Sequence, residues 1–167
     1  MKVSMISAMA TGRVIGTGSG GIPWRLPRDS AHFRGYTQGK HMLLGRTTFE
    51  EMDGWFTTQV PVVLTRNAEY EVAVPGGGVA LDVESAIRYA DEAGAAELVV
   101  SGGASVYAAA LAHADELVLT FVDAEVEGGA FFPDWEANGE WEEVSREAYG
   151  ADEENEYGMS FVVLRRV

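Results

Sequence analysis

The sequence predicts an α/β fold with a central, mostly parallel sheet, helices on both faces and an antiparallel C-terminal hairpin. Three observations carry this. Short apolar runs alternate with helix-like segments along most of the chain. Glycine-rich turns follow several of the runs, as where strands of a parallel sheet hand over to helices. The last two strand-like runs, 141–149 and 157–167, are joined only by the polar tract Asp152-Glu153-Glu154-Asn155-Glu156, which reads as a hairpin connection.

The elements follow in order. Residues 3–10 form a buried strand, and 16–22 a glycine-rich loop with little conformational restraint. Pro27 fits the first turn of a helix over 27–35. A short strand follows at 41–44, and Thr48-Phe49-Glu50-Glu51 fits a capping box opening a short helix. A strand at 60–65 begins near Pro61, and a short strand lies at 79–81. Val83, Ala86, Ile87 and Ala90 share one face of a helix over 82–93. A strand at 97–101, a helix at 104–112 and a strand at 117–122 precede the hairpin. There is no internal repeat and no linker, so 1–167 reads as one domain.

Composition narrows the function classes. The chain contains no cysteine, which excludes disulfides, thiolate metal sites and cysteine nucleophiles. His32, His41 and His113 have no ligand spacing, so no metal site is expected. The N-terminal apolar stretch is too short for a signal peptide and no window reaches a membrane span, so a cytoplasmic protein is expected. There are 26 acidic residues against 12 basic ones, and only Lys2 and Lys40 are lysine. A net charge of −14 argues against nucleic acid and anionic membranes as partners. Such a surface keeps a protein soluble by self-repulsion, but the favoured reading is a salt-rich cytoplasm, where molar salt screens charge within about 3 Å. Low lysine with abundant Asp, Glu, Ala and Gly resembles proteins of extreme halophiles.

Three segments could carry chemistry. Gly102-Gly103-Ala104-Ser105-Val106-Tyr107 runs from a strand through a glycine turn into a helix, a shape that suits a pyrophosphate and equally an ordinary turn. Gly45-Arg46-Thr47-Thr48 is a second such junction, and Thr65-Arg66 follows the next strand. Two arginines after neighbouring strands suit the 2′-phosphate of NADP, or pair with surface carboxylates. In the third segment, Pro23-Trp24-Arg25-Leu26-Pro27-Arg28-Asp29-Ser30-Ala31-His32-Phe33, Asp29 falls in the first helical turn. There it complements the helix dipole or, if its face lines a cleft beside Phe33, serves as a working carboxylate.

Taken together, the ordered motifs resemble dihydrofolate reductase. They are Arg13-Val14-Ile15-Gly16, the Pro23–Phe33 segment, Leu44-Gly45-Arg46-Thr47-Thr48-Phe49-Glu50, Ser101-Gly102-Gly103-Ala104-Ser105-Val106-Tyr107, Leu119-Thr120 and Asp123-Ala124-Glu125-Val126-Glu127-Gly128. The resemblance implies a three-layer fold and a monomer that reduces 7,8-dihydrofolate with NADPH, by hydride transfer to C6 and protonation of N5. It implies Asp29 as the pterin anchor, Thr120 as its hydrogen-bonded companion and Trp24 as the residue that places a water near it. Phe33 becomes the apolar wall, and Ile6, Ser7 and Ala8 the strand whose backbone meets the pterin. Tyr107 lies near the nicotinamide. Ala8, Ile15, Gly16, Gly45, Thr65 and the 101–107 segment join the cofactor site, with Arg46 and Arg66 at the 2′-phosphate and Thr47 and Thr48 at the pyrophosphate. Gly102-Gly103 matches the family's cis-peptide pair, and the 16–22 loop its mobile flap.

The sequence departs from the family at three places. Gln59 stands where an arginine usually holds the substrate's glutamate carboxylate, leaving Arg34 or Lys40 as substitutes or a weakly held tail. Gly129 stands where a carboxylate often ties a distant loop to the flap. Gly18–Gly21 adds glycine to the flap, which predicts greater mobility. The alternatives are a pyrimidine reductase of riboflavin synthesis and a non-catalytic NADPH-binding domain. The Pro23-Trp24 segment with Asp29 and Phe33 favours folate over the first, and the second predicts NADPH binding without turnover.

Overall fold

A computed structural model describes residues 1–18 and 21–167. Ser19 and Gly20 of the expected flap lie outside the described residues. The strands are β1 (Lys2–Met9), β2 (Val14–Gly16), β3 (His41–Gly45), β4 (Val60–Leu64), β5 (Gly78–Ala80), β6 (Glu97–Val100), β7 (Glu116–Val122), β8 (Ala130–Phe131), β9 (Trp141–Tyr149) and β10 (Met159–Arg166). The α-helices are α1 (Pro27–Thr37), α2 (Arg46–Glu51), α3 (Val83–Glu92) and α4 (Ala104–Ala110).

Eight strands form the main sheet in the order β5-β4-β3-β6-β1-β7-β10-β9. The pairs from β5 through β7 are parallel, and β10 lies antiparallel to both β7 and β9. The order reverses direction around β1, which is flanked by β6 and β7. Ligand clefts in such sheets open at the carboxyl ends of the strands near that reversal.

Alternation along β1 sorts the helices between the two faces. Val3, Met5 and Met9 join the core that holds Val83, Ala86 and Ala90 of α3 and Val106, Tyr107 and Ala110 of α4. Ile6 points the other way and packs with Val99 and Val118 against Phe33 and Tyr36 of α1. The sheet is therefore covered by α1 on one face and by α3 and α4 on the other.

Two features differ from the sequence reading. Helix α2 begins at Arg46, with Gly45 as N-cap, so Thr48 is already inside the helix and caps nothing. The Thr-x-x-Glu pattern fits a capping box, but the backbone turns at the end of β3 and the helix starts at once. The second difference is a two-stranded ladder, β2 with β8, that pins the base of the 16–22 loop to residues 130–131. Arg13, at φ 64°, donates from its guanidinium to the Phe132 carbonyl at 2.7 Å, and Phe132 N–H donates back to the Arg13 carbonyl at 2.8 Å.

Candidate active site

A cavity of about 460 Å³ opens at the carboxyl ends of the central strands. It gathers Ile6, Ser7 and Ala8 from β1, Asp29 and Phe33 from α1, Thr120 from β7, and Ser101 to Ala104 with Tyr107 from the β6–α4 junction. Ile15, Gly16 and Thr48 also line it. A second cavity, about 420 Å³, lies behind the 10–13 turn and contains none of the predicted site residues.

Asp29 and Glu51 both line the cavity; Glu51 is exposed, Asp29 is half-buried, and the local sequence explains the position of Asp29. Pro27 opens α1, so Asp29 sits in the first turn, with Phe33 four residues on and on the same face. Burial pushes the Asp29 pKa above the ordinary 3.8; a hydrogen bond from the Thr120 side chain and the nearby His32 act in the opposite direction. A half-buried carboxylate of this kind can accept two parallel donors from a flat heterocycle.

Tyr107 is buried, and its hydroxyl donates to the Ile6 carbonyl at 2.6 Å. It thus ties α4 to the β1 segment that lines the cavity. Burial raises its pKa well above the usual phenol range, so it stays neutral.

At the cofactor-like end, glycines permit close approach. The Gly45 N–H donates to the Gly102 carbonyl at 2.8 Å, and a Cβ on Gly45 would come within 3.2 Å of Val106 Cγ2. A Cβ on Gly103 would meet Thr48 Oγ1 at 3.2 Å. Gly102 is at φ 115°, and the Gly102–Gly103 peptide is cis. Gly103 caps α4 without a side-chain acceptor for the first amides. Free N–H groups, small residues and a helix start offer a seat for a phosphate-bearing ligand.

A family model described as dihydrofolate reductase matches residues 2–166. The chain belongs to the dihydrofolate reductase family. It is 37% identical over 166 residues to dihydrofolate reductase type 3 of Salmonella typhimurium, covering 99% of each chain. It is 36% identical over 175 residues to dihydrofolate reductase HdrB of Haloferax volcanii, covering 99% of this chain and 84% of that one. Among solved structures it resembles dihydrofolate reductase from Enterococcus faecalis complexed with NADP(H) and RAB-propyl, with a TM-score of 0.85 and 32% identity over 99% of this chain and 96% of that one. The family reduces dihydrofolate with NADPH, and its fold is the one described above.

The remaining predicted residues lie at varied distances from this dihydrofolate-reductase-like cavity. Gly45 pairs in register with Leu64, so Arg46 and Thr65-Arg66 leave neighbouring strand ends side by side. Arg46 is exposed and bonded to Glu50 at 3.0 Å, with its guanidinium 4.8 Å from the Tyr70 ring. Arg66, Thr47 and Ser105 are also exposed, and Val106 is buried against Gly45. Trp24 does not line the cavity. It packs in a neighbouring apolar cluster with Leu26, Met159 and Ala8.

The structure resolves two of the departures. Gln59 is buried, accepts from the Thr57 N–H at 3.0 Å and reaches the Thr37 hydroxyl at 3.5 Å, so it fastens a turn and does not reach the cavity. Lys40 is bound to Glu97 at 3.1 Å and lies 3.8 Å over the Tyr36 ring, which removes it as a substitute anchor. Arg34 stacks 4.2 Å over Trp55, a cavity-lining residue, and donates to its carbonyl at 3.0 Å. Gly129 donates to the Thr17 carbonyl at 3.1 Å, and a Cβ on Gly18 would sit 2.9 Å from the Gly129 Cα. Backbone contact at the glycines therefore joins the two loops directly.

Trp55, Met52 and Ala130 line the cavity and were not legible in the sequence. Trp55 lies 5.3 Å from Phe33, completing an aromatic wall. The one available signal was its place four residues after α2, on the same side as the strand ends.

Proposed function

We infer that this chain catalyses NADPH-dependent reduction of 7,8-dihydrofolate to 5,6,7,8-tetrahydrofolate. The observation that carries the reading is Asp29. It is the partly buried carboxylate of the cavity, set beside the aromatic wall of Phe33 and Trp55, its pKa is raised by burial, and the same cavity takes in an uncapped, glycine-lined helix start. That pairs an acceptor for a pterin's parallel N–H donors with a seat for a dinucleotide.

The cofactor, when bound, supplies the hydride. The chain's own residues do the rest. Asp29 accepts the pterin amino and ring N–H groups, Thr120 holds the carboxylate in place, and Phe33 with Trp55 excludes water from one face of the ring. Ile6, Ser7 and Ala8 present backbone groups along the pterin edge, Tyr107 stands near the nicotinamide, and Trp24, in the apolar cluster next to the cavity, places a water near Asp29. Asp29 also raises the basicity of the ring system it binds, which favours the proton at N5 arriving through water. Ala8, Ile15, Gly16, Gly45, Thr47, Thr48, Thr65 and Ser101 through Tyr107 form the cofactor side. Arg46 and Arg66 are the cations for the 2′-phosphate, with Arg46 exchanging Glu50 for it. Arg34 takes the place of the missing arginine at Gln59 as contact for the glutamate tail.

On the same reading the chain is a single domain, a monomer and a cytoplasmic enzyme with no nucleic-acid or membrane partner, suited to high salt. Its net charge of −14 supports this, as does its similarity to a Haloferax volcanii relative. Loss of NADPH absorbance on adding dihydrofolate tests the activity. Turnover is expected to be higher in molar KCl than in dilute buffer and much lower with NADH. No turnover by folded protein in either buffer contradicts the function, and full stability and activity in dilute buffer contradict the salt adaptation.

A further inference from the structure

His32 lies on α1 one turn after Asp29, and both side chains face the same strand pair. Asp29 takes a hydrogen bond from Thr120 of β7, while His32 stacks on Phe161 of β10, with ring centroids 4.2 Å apart and an interplanar angle of 20°. Thr120 and Phe161 are direct cross-strand partners. The sheet register therefore fixes the spacing of the two α1 residues above it. The Nε2 of His32 is buried and has no hydrogen-bond partner among the described residues. No protein group dictates whether that nitrogen carries a proton, so the local field decides.

That field comes from few groups. Burial acts most strongly on the imidazole and lowers its pKa below the ordinary value, while Asp29 on α1 and Glu147 on β9 act in the opposite direction, each favouring the protonated form. Arg28 is engaged by other groups: its guanidinium lies 4.5 Å from the Tyr149 ring and 3.2 Å from Asp152. Tyr149 is 5.5 Å from Phe161, the ring on which His32 stacks. Glu147 is exposed and accepts from the Tyr149 hydroxyl at 2.9 Å. Asp29 is thus the enclosed partner and Glu147 the solvated one.

We propose that His32 is a positioning residue for Asp29, the two forming a proton-linked pair in which the imidazolium holds Asp29 as a carboxylate. The inference rests on the reading of Asp29 as the substrate anchor. A proton taken up near the site is shared between the ring and the carboxyl group, so Asp29 stays ionised to lower pH than its burial alone would allow. His32 touches no substrate in this scheme and acts only through Asp29.

The test combines NMR with kinetics. The His32 imidazole is titrated by NMR in the wild type and in Asp29→Asn, with the resonance identified by its loss in His32→Phe. Removing the carboxylate is expected to lower the His32 pKa by roughly half a unit or more. Glu147→Gln should lower it less, with an effect that molar KCl erases, because an exposed charge is screened. An unchanged His32 titration in Asp29→Asn overturns the proposal. In parallel, the pH profile of kcat/KM for dihydrofolate is compared in wild type, His32→Phe and His32→Tyr, which retain an aromatic ring over Phe161. The inflection belonging to Asp29 should move to higher pH in both variants. An identical inflection overturns the proposal, whereas a uniform loss of activity at every pH would mark a merely structural role. The NMR arm needs no turnover. A protein inactive towards dihydrofolate whose His32 titration still responds to Asp29→Asn would refute the functional reading and leave the pair standing.

Discussion

The backbone N–H of Arg28 donates to Oδ1 of Asn155 at 3.0 Å, across 127 positions of sequence. Leu26, the N-cap of α1, has no side chain able to serve the helix start. Asn155 supplies that cap from the β9–β10 connection. It is itself fixed by Asp152, whose Oδ1 accepts from the Asn155 N–H at 2.8 Å and from its Nδ2 at 3.0 Å. The acidic tract is therefore an anchor for the turn that carries Asp29.

Replacing that cap should be costly. Asn155 is buried, so Asn155→Ala leaves the Arg28 N–H without its partner. A loss of about 1–2 kcal/mol is expected, in line with other helix caps. Urea unfolding of the ligand-free protein measures it, and a change within the error of the midpoint would mean that solvent replaces the cap.

Asp29 should weaken the ligand-free protein at neutral pH. Its folded-state pKa is raised above 3.8, so between 3.8 and the raised value the native state holds more protons than the unfolded one. Stability then falls as pH rises through that window, and the cost is complete above it. Asp29→Asn removes the charge and should stabilise the protein near neutral pH. The gain should shrink as pH is lowered towards 3.8. Paired unfolding curves at the two ends of the window check this, and a gain that does not depend on pH would contradict it.

The parts of this molecule that were legible in the sequence share a physical cause. Runs such as Leu43-Leu44, Val62-Val63 and Leu98-Val99-Val100 are buried completely, and only apolar residues suit that environment. Asp29 and Phe33 could be put on one face because helical spacing is local. What stayed hidden depends on distant contacts or on very short elements. Strands β2 and β8 have three and two residues, too few to show any period. Trp55 reaches the cavity from an irregular turn, and the Asn155 cap has no signature near α1. The α2 start was misread because Thr48 and Glu51 have capping-box spacing while the chain had already turned helical at Arg46.

Gly128 should tolerate no side chain. An added Cβ would collide with the Gly16 carbonyl oxygen and would lie 2.6 Å from Val14 Cγ1. Gly128→Ala must therefore push β8 away from β2, at a cost of about 1–3 kcal/mol for such overpacking. Because that ladder holds the base of the 16–22 loop, turnover should fall as well as stability. Thermal unfolding combined with steady-state kcat reports both, and a variant unchanged in each would show that the ladder is dispensable.

Arg34 should govern recognition of the substrate's tail. With Gln59 occupied by Thr57 and Lys40 by Glu97, Arg34 is the cation standing at the Trp55 side of the cavity among the described residues. Arg34→Gln is expected to raise KM for dihydrofolate about tenfold or more with little change in kcat, the pattern for binding lost equally in ground and transition states. A substrate lacking the glutamate should be insensitive to the substitution. Equal effects on both substrates would assign Arg34 to packing against Trp55.

The most direct test of the account is the Asp29→Asn enzyme assayed near neutral pH, with NADPH binding measured separately by quenching of tryptophan fluorescence. Dihydrofolate-dependent NADPH oxidation should fall by about a hundredfold or more, as expected when the group that anchors the pterin and promotes its protonation is lost. NADPH affinity should stay at the wild-type value. Activity close to wild type would contradict the assignment of Asp29 as the anchor on which the reaction turns.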